Sequence, residues 1–160
     1  MKKYFIFLFL TSIVALSSCL KEQADPFEAA KIQLVKDEEI IKKFIADSSI
    51  SALRHESGLY YQIIKPGSGN VVYNNNTSVT VNYKGSFLDG KIFDQTKVNQ
   101  PVSFTLFGVI DGWKIGVPLI QKGGKIRLII PSGYAYGSNA RQGIPANSIL
   151  NFDIELIDVQ

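Results

Sequence analysis

The chain has 160 residues, of which 46% are hydrophobic, 11% aromatic and 19% charged, a composition typical of a globular protein rather than a disordered one. Its formal net charge is +3, but Lys2 and Lys3 lie in a segment that we expect to be removed, which leaves fifteen basic against fourteen acidic residues. This near-neutral balance argues against electrostatic binding of nucleic acid, and we expect no nucleic-acid partner.

One cysteine, Cys19, and one histidine, His55, limit the chemistry that the chain can perform. An intramolecular disulfide is excluded, so the fold must depend on core packing. A zinc site built from cysteine and histidine ligands is excluded as well, and we expect neither a metal nor a cofactor. His55 lies between charged neighbours and has no partner for nucleophilic catalysis. It is interpreted as a solvated or linker residue.

Residues 1–18 have the pattern of a signal peptide. Lys2 and Lys3 form a positive region, and the apolar run of residues 4–16 is shorter than the roughly 20 residues of a membrane span. Small residues then precede Cys19, which resembles the lipobox where bacterial lipoproteins are cut and lipidated. The alternative is an ordinary secretory signal in which Cys19 has no role.

Lipid on Cys19 would give the mature protein a membrane partner. Several acyl chains anchor a protein stably, whereas one chain binds only weakly. Residue 20 is Leu rather than Asp, which by resemblance to the usual sorting rule indicates the outer membrane. We therefore expect a lipid-anchored protein of the bacterial cell envelope, at the outer membrane, facing either the periplasm or the exterior.

A helical extension or spacer is predicted for residues 26–56, after a lipidated linker at residues 19–25. Asp25 can accept hydrogen bonds from the free N–H groups at the start of the helix. Pro26 suits the first helical position, and Glu28 stands three residues after the cap. These features together predict that the helix begins at Asp25.

The stretch from residue 27 to residue 46 contains no Gly or Pro. Its apolar residues can share one stripe, which consists of Phe27, Ala30, Leu34, Ile41, Phe44 and Ile45. The charged residues are expected on the remaining, solvated surface, and these are Asp37, Glu38, Glu39, Lys42 and Lys43. The helix is interpreted either as packed on its own domain or acting as a spacer, or as the interface of a homodimer formed through residues 26–47.

From Gly58 onward, hydrophobic residues alternate with a period of two, which predicts β-strands. Turn signals such as Asp89-Gly90 separate the strands, and residues 110–117 predict one short helix that Pro118 limits. About six strands and one helix over residues 57–160 indicate an α+β domain. Roughly a hundred residues are enough to bury an independent core.

Three motifs in this domain go beyond alternation. They are Val81–Gly85 with Asp89–Asp94, then Val109–Trp113, then Ile130–Gly137 with Ile144–Ser148 and Leu150–Leu156. In this order and spacing, over about residues 58–160, the set closely resembles the FKBP-type peptidyl-prolyl cis/trans isomerases. The resemblance implies a curved antiparallel β-sheet wrapped around one short helix, with a pocket between them.

The resemblance also implies which residues form that pocket. Those that match the family's catalytic pocket are Tyr83, Phe93, Asp94, Trp113, Tyr136 and Phe152. Those that match its substrate-binding surface are Val102, Phe104, Val109, Ile110 and Ile144. There are departures from the family pattern: Val102 replaces a common aromatic, Arg141 and Gln142 occupy a loop tip, and the loop before Ile144 is short. They affect the expected substrate preference and the affinity for macrocyclic inhibitors.

Isomerisation of an X–Pro bond suits such a pocket. The barrier of about 18–20 kcal/mol is lost amide resonance, and no covalent bond breaks, so neither a nucleophile nor a metal is required. The twisted transition state has less charge separation than the planar amide, so a dry aromatic pocket favours it. We therefore expect an isomerase that assists the folding of exported proteins and has proline-containing, unfolded or exported polypeptides as partners.

Other interpretations remain at this point. Without the motifs, Phe93, Trp113 and Phe152 would be ordinary core aromatics. A contact between Tyr83 and Asp94 could be merely a structural hydrogen bond, and in neither interpretation does Asp94 act as an acid or base. The whole domain could instead be a binding module or chaperone with little turnover, or a structural lipoprotein with a vestigial pocket.

Overall fold

The computed structural model describes residues 25–160. The predicted signal peptide and Cys19 lie outside the described residues. Within the described part of the chain, neither helix is long and apolar enough to cross a membrane.

A long helix, α1 (Pro26–Asp47), precedes a sheet of seven strands. A short helix, α2 (Asp111–Gly116), follows the fifth strand. The strands are β1 (Leu53–Arg54), β2 (Tyr60–Lys65), β3 (Ser78–Ser86), β4 (Ile92–Gln95), β5 (Val102–Thr105), β6 (Lys125–Ile130) and β7 (Leu150–Val159). The predicted α+β fold, with its N-terminal helix, is confirmed.

Strand β3 is the centre of the half of the sheet that forms the pocket. All pairings are antiparallel, in the order β1-β2-β6-β7-β3-β4. One edge of β3 pairs with β7 along most of its length, and the other edge is shared by β5 at Ser78–Val81 and β4 at Lys84–Ser86. Side chains from four strands are therefore brought to one concave region.

The main core fills the space between the sheet and α2. Strand β7 contributes its alternate residues Leu150, Phe152, Ile154 and Leu156, all buried as the period of two predicts. Strand β6 contributes Ile126, Leu128 and Ile130. Regular alternation on these strands places their apolar face on the core.

Two glycines allow α2 to lie directly on β6. A Cβ added at Gly112 would be 2.5 Å from Cγ2 of Ile130, and one added at Gly116 would be 2.5 Å from Cδ1 of Leu128. Such distances lie far inside van der Waals contact, so any larger residue would push the helix away from the sheet. This close approach sets the distance from the sheet to Trp113, which lies between the two glycines.

Helix α1 packs on the opposite face of the sheet. Ile41 is fully buried in a second cluster with Tyr60, Ile129 and Ile149, and Phe44 packs against that cluster. The helix therefore packs on its own domain, which is one of the alternatives that the sequence left open. The predicted stripe was wrong at Phe27, which is 73% exposed, and at Ala30, which is exposed too, because both lie near the start of the helix, before it reaches the sheet.

Asp37 was predicted on the solvated surface, and this prediction was wrong: the residue is only 1% exposed. Its Oδ2 accepts hydrogen bonds from the backbone N–H of Ser132 (2.7 Å) and the Ser132 hydroxyl (2.6 Å). Its Oδ1 accepts one from Nε2 of Gln33 at 2.7 Å. These three hydrogen bonds offset the cost of burying a carboxylate.

Glu38, the next residue, connects α1 to β1 and β2 through hydrogen bonds to its carboxylate. Nε and Nη2 of Arg54 donate to its two carboxylate oxygens at 3.0 and 3.2 Å, and Lys42 lies 3.0 Å from Oε1. The Tyr60 hydroxyl donates to the same oxygen. The hydrogen bond from Arg54, followed by that from Lys42, lowers the pKa of Glu38 from 4.5 to about 2.

This shift predicts a loss of stability in acid that depends on Glu38. The folded state binds the proton only near pH 2, while the unfolded chain binds it near 4.5, so the stabilisation is present above 4.5 and is lost as the pH falls toward 2. Urea unfolding at pH about 6 and about 3 should show a larger decrease in the free energy of unfolding for wild type than for Glu38→Gln. The neighbouring variant Glu39→Gln should behave as wild type. A decrease equal in wild type and Glu38→Gln would contradict the assignment.

Candidate active site

A pocket of about 680 Å³ opens between the sheet and α2. All the predicted pocket residues except Val102 line it, and Cys19 lies outside the described residues. The lining residues are Tyr83, Phe93, Asp94, Phe104, Gly108, Val109, Ile110, Trp113, Ala135, Tyr136, Arg141, Gln142, Ile144 and Phe152. The pocket is of the size that holds a small ligand or a few residues of a peptide.

Trp113 forms the floor of the pocket and is 4% exposed. Three aromatic rings surround it nearly at right angles: Tyr83 at 5.3 Å, Phe104 at 5.8 Å and Phe152 at 5.4 Å between ring centroids. Phe93 extends this wall by an edge contact with Phe152 at 5.5 Å. Edge-to-face rings are a favourable and rigid arrangement, so the floor is fixed before any ligand binds.

Gly85 makes room for the two phenylalanines. It faces Phe152 of β7 across one edge of β3 and Asp94 of β4 across the other. A Cβ at this position would lie 2.7 Å from atoms of both Phe93 and Phe152. Gly85 lies within the first motif, but alternation alone does not show that aromatic rings cover it, so sequence reasoning gave it no role.

A polar pair lies at the edge of this apolar floor. The Tyr83 hydroxyl donates a hydrogen bond to Oδ2 of Asp94 at 2.6 Å. Burial raises the pKa of the Tyr83 hydroxyl well above its usual value, and the Asp94 carboxylate raises it further. Tyr83 therefore stays protonated at any physiological pH, as a donor rather than a base.

The segment that enters α2 brings backbone groups to the pocket. The Ile110 carbonyl accepts from the N–H of Trp113 at 2.9 Å and of Lys114 at 3.3 Å, which closes the first turn of the helix. The Ile110 backbone is extended, with φ −61° and ψ 152°. Its N–H makes no backbone hydrogen bond within residues 25–160, so it is free to bind a ligand carbonyl.

The loop after β6 supplies the remaining rim. Tyr136 lines the pocket, and the Arg141 guanidinium lies over its ring at 5.7 Å from the centroid. Paired backbone hydrogen bonds between Arg141 and Ile144, both 2.9 Å, close the tight turn that holds Gln142 at the rim. The sequence identified Arg141 and Gln142 as departures from the family pattern but did not predict that they line the pocket.

Val102 lies outside the pocket lining. On β5 it pairs with Val81, and its side chain is 37% exposed. Phe104, two residues further on, packs against Tyr83 with 6.2 Å between ring centroids and supplies the pocket wall instead. A direct role for Val102 in substrate binding remains a prediction.

Comparison with known proteins assigns the family. The profile described as FKBP-type peptidyl-prolyl cis-trans isomerase matches residues 69–157. The chain belongs to this family. The match confirms the resemblance that the ordered motifs indicate.

Among curated relatives, the FKBP-type isomerase FkpA of Buchnera aphidicola subsp. Schizaphis graminum is 45% identical over 141 residues, which cover 82% of this chain and 55% of that protein. FkpA of Escherichia coli is 44% identical over 126 residues, covering 78% and 46%. The chain thus spans about half the length of these relatives.

Solved structures show the same fold. The crystal structure of FkpA from Escherichia coli matches with a TM-score of 0.71 and 41% identity, covering 84% of this chain and 62% of that one. A peptidyl-prolyl cis-trans isomerase from Pseudomonas syringae pv. tomato matches with a TM-score of 0.66 and 35% identity, covering 85% and 97%.

Proposed function

We propose that this FKBP-family protein is a peptidyl-prolyl cis/trans isomerase that acts on proline-containing polypeptides and assists the folding of exported proteins. The observation that carries the proposal is the preformed aromatic floor, in which Trp113 lies between Tyr83, Phe104 and Phe152. A proline ring is apolar and compact, and a rigid, apolar recess of this kind binds it without needing a charged group.

The apolar floor favours the transition state of the rotation. In the planar X–Pro amide, resonance places partial charges on oxygen and nitrogen, and rotation removes much of that charge separation. Water stabilises the planar form more than an aromatic surface does, so transfer into the pocket lowers the barrier by differential binding. No proton transfer is needed, which agrees with a Tyr83 hydroxyl whose pKa is raised.

Polar groups at the rim would orient the peptide. The Ile110 N–H and the Tyr136 hydroxyl would donate to backbone carbonyls on either side of the proline, since both residues line the pocket. The Tyr83 hydroxyl donates its hydrogen bond to Asp94 at 2.6 Å, so it does not donate to a substrate carbonyl. A few fixed donors around an apolar recess are the usual arrangement of a binding pocket.

A second candidate is a chaperone or binding module with the same pocket and little turnover. Phe107, which directly precedes the pocket-lining residue Gly108, is 74% exposed. Exposed apolar side chains near a site favour contact with unfolded polypeptides. This candidate predicts retained binding with no acceleration of isomerisation.

The isomerase proposal predicts a strong dependence on the pocket walls. Phe93→Ala and Asp94→Val should each lower kcat/KM for a tetrapeptide containing Leu-Pro by about tenfold, which corresponds to roughly 1.4 kcal/mol of lost transition-state binding. The measurement is the rate of cis-to-trans conversion, followed by protease-coupled absorbance on protein shown by circular dichroism to be folded.

Phe107→Ala is the matched control, because Phe107 is an exposed aromatic outside the pocket lining. It should retain wild-type kcat/KM. Full activity in the Phe93→Ala, Asp94→Val double variant would falsify the pocket assignment. An inactive wild type that still suppresses aggregation of an unfolded protein would favour the chaperone instead.

We also propose that Cys19 carries lipid and anchors the protein to the outer membrane of the cell envelope, from a signal peptide at residues 1–18. The support is the position of the chain's one cysteine, directly after Leu16-Ser17-Ser18. Expressed in a Gram-negative host, the wild type should label with radioactive palmitate and sediment with outer-membrane vesicles.

Cys19→Ala should abolish the labelling and release the protein, because no acyl chain can then be attached. Ser17→Ala, which keeps the cysteine, is the matched control and should behave as wild type. Membrane association that persists in Cys19→Ala would mean that the anchor lies elsewhere.

A homodimer through residues 26–47 is the remaining proposal. Helix α1 uses Ile41 to pack on its own domain, yet Ile32, Val35 and Ile40 stay more than half exposed. A second copy of the same helix would bury these side chains in an isologous contact.

Sedimentation velocity of residues 20–160 should then show a dimer, and Val35→Glu should convert it to monomer by burying a charge in the interface. Val72→Glu adds the same charge at a residue that is 87% exposed and outside α1, and it should leave the dimer intact. A wild type that sediments as a monomer at all concentrations contradicts the proposal.

A further inference from the structure

Asp37 connects the helical extension to the loop that carries Tyr136. It lies on α1, outside the lining of the pocket. Its Oδ2 receives both the backbone N–H and the hydroxyl of Ser132, at 2.7 and 2.6 Å. Both residues are buried, at 1% and 0% exposure. Two short, water-excluded hydrogen bonds to one oxygen fix the position of Ser132 strongly.

Ser132 in turn determines the backbone on both sides of Tyr136. The Ser132 carbonyl accepts from the N–H of Ala135 at 3.0 Å and from the N–H of Gly137 at 2.8 Å. These two residues flank Tyr136 directly. A displacement of Ser132 would therefore move both backbone supports of the Tyr136 side chain at once.

Asp37 is not needed merely to attach α1. Ile41 of α1 is fully buried against the sheet, and Glu38 forms its own hydrogen bonds with Arg54 and Tyr60. A carboxylate is an expensive group to bury, and an apolar residue would serve attachment better. What the carboxylate adds is two directed acceptor contacts with Ser132.

We propose that Asp37 is a positioning residue for the pocket: through Ser132 it holds the loop of residues 131–137 so that the Tyr136 hydroxyl meets the substrate carbonyl. The proposal deepens the isomerase function and rests on it. It assigns to the helical extension a part in the reaction, in addition to any role as a spacer or dimer contact.

The kinetic test is a double-mutant cycle between Asp37 and Tyr136. Asp37→Ala should lower kcat/KM for the Leu-Pro tetrapeptide by about tenfold, since misplacement by about 1 Å has effects of this size or larger. In the Tyr136→Phe background, which lacks the hydroxyl, the same change should cost less than about twofold. Equal fold losses in the two backgrounds would show that Asp37 does not act through Tyr136 and would overturn the proposal.

Two further variants separate positioning from general damage to the fold. Asp37→Asn keeps an acceptor oxygen toward Ser132 and should recover most of the activity lost in Asp37→Ala. Glu39→Ala removes an exposed carboxylate from the same helix and should leave kcat/KM unchanged. If Asp37→Ala does not fold, Ser132→Ala, which removes only the hydroxyl contact, takes its place in the cycle with Tyr136→Phe.

Amide hydrogen exchange tests the coupling without any reference to turnover. Asp37→Ala should speed exchange at the N–H groups of Ala135 and Gly137 by a larger factor than in β7, where any change reports only the loss of global stability. Unchanged protection of Ala135 and Gly137 overturns the proposal. If wild type proves inactive as an isomerase, the proposed function fails, and faster exchange in the variant still establishes that Asp37 holds the loop.

Discussion

The close packing of α2 on β6 is the constraint on which the pocket depends. Gly112 and Gly116 have no side chains to hold the helix away from Ile130 and Leu128. Trp113, which lies between these glycines in α2, is therefore close to the sheet. At that distance its ring meets Tyr83, Phe104 and Phe152 edge-on. If α2 lay further from the sheet, these three aromatic rings would no longer all contact Trp113, and the recess would have no floor.

The sheet serves the same purpose from the other side. Because β3 shares one edge between β4 and β5 and pairs with β7 on the other, Tyr83, Asp94, Phe104 and Phe152 come from four strands yet meet in one place. Gly85 is the second point of close approach, where the absence of a Cβ lets Phe93 and Phe152 touch. Tight backbone contacts, rather than polar networks, therefore give the floor of the pocket its shape.

Much of this arrangement was predictable because it is local or periodic. Alternation placed Leu150, Phe152, Ile154 and Leu156 on the core face, and the family resemblance indicated ten of the fourteen lining residues. Asp37 was missed because its charge assigned it to solvent, although it stands three residues after Leu34 and four before Ile41, on the same helix face. Its partner Ser132 lies 95 residues away. No spacing rule connects two such positions. The rim residues Arg141 and Gln142 were likewise known as departures, but their inward placement depends on the turn that pairs Arg141 with Ile144.

The floor and the rim of the pocket are held by different parts of the fold. The type of reaction can therefore depend on one part and the substrate specificity on the other. The floor belongs to β3, β5, β7 and α2, elements fixed by the core, and it supplies the apolar surface on which the proposed isomerase activity depends. The rim belongs to loops, of which the Tyr136 loop depends on a residue of α1 through Ser132. On the proposal that Asp37 positions this loop, changes in the extension would alter how a peptide is oriented and leave the apolar floor unchanged. On this proposal the extension and the domain function as one unit, whereas the sequence left open whether the helix is a spacer, packs on its own domain or forms a dimer contact.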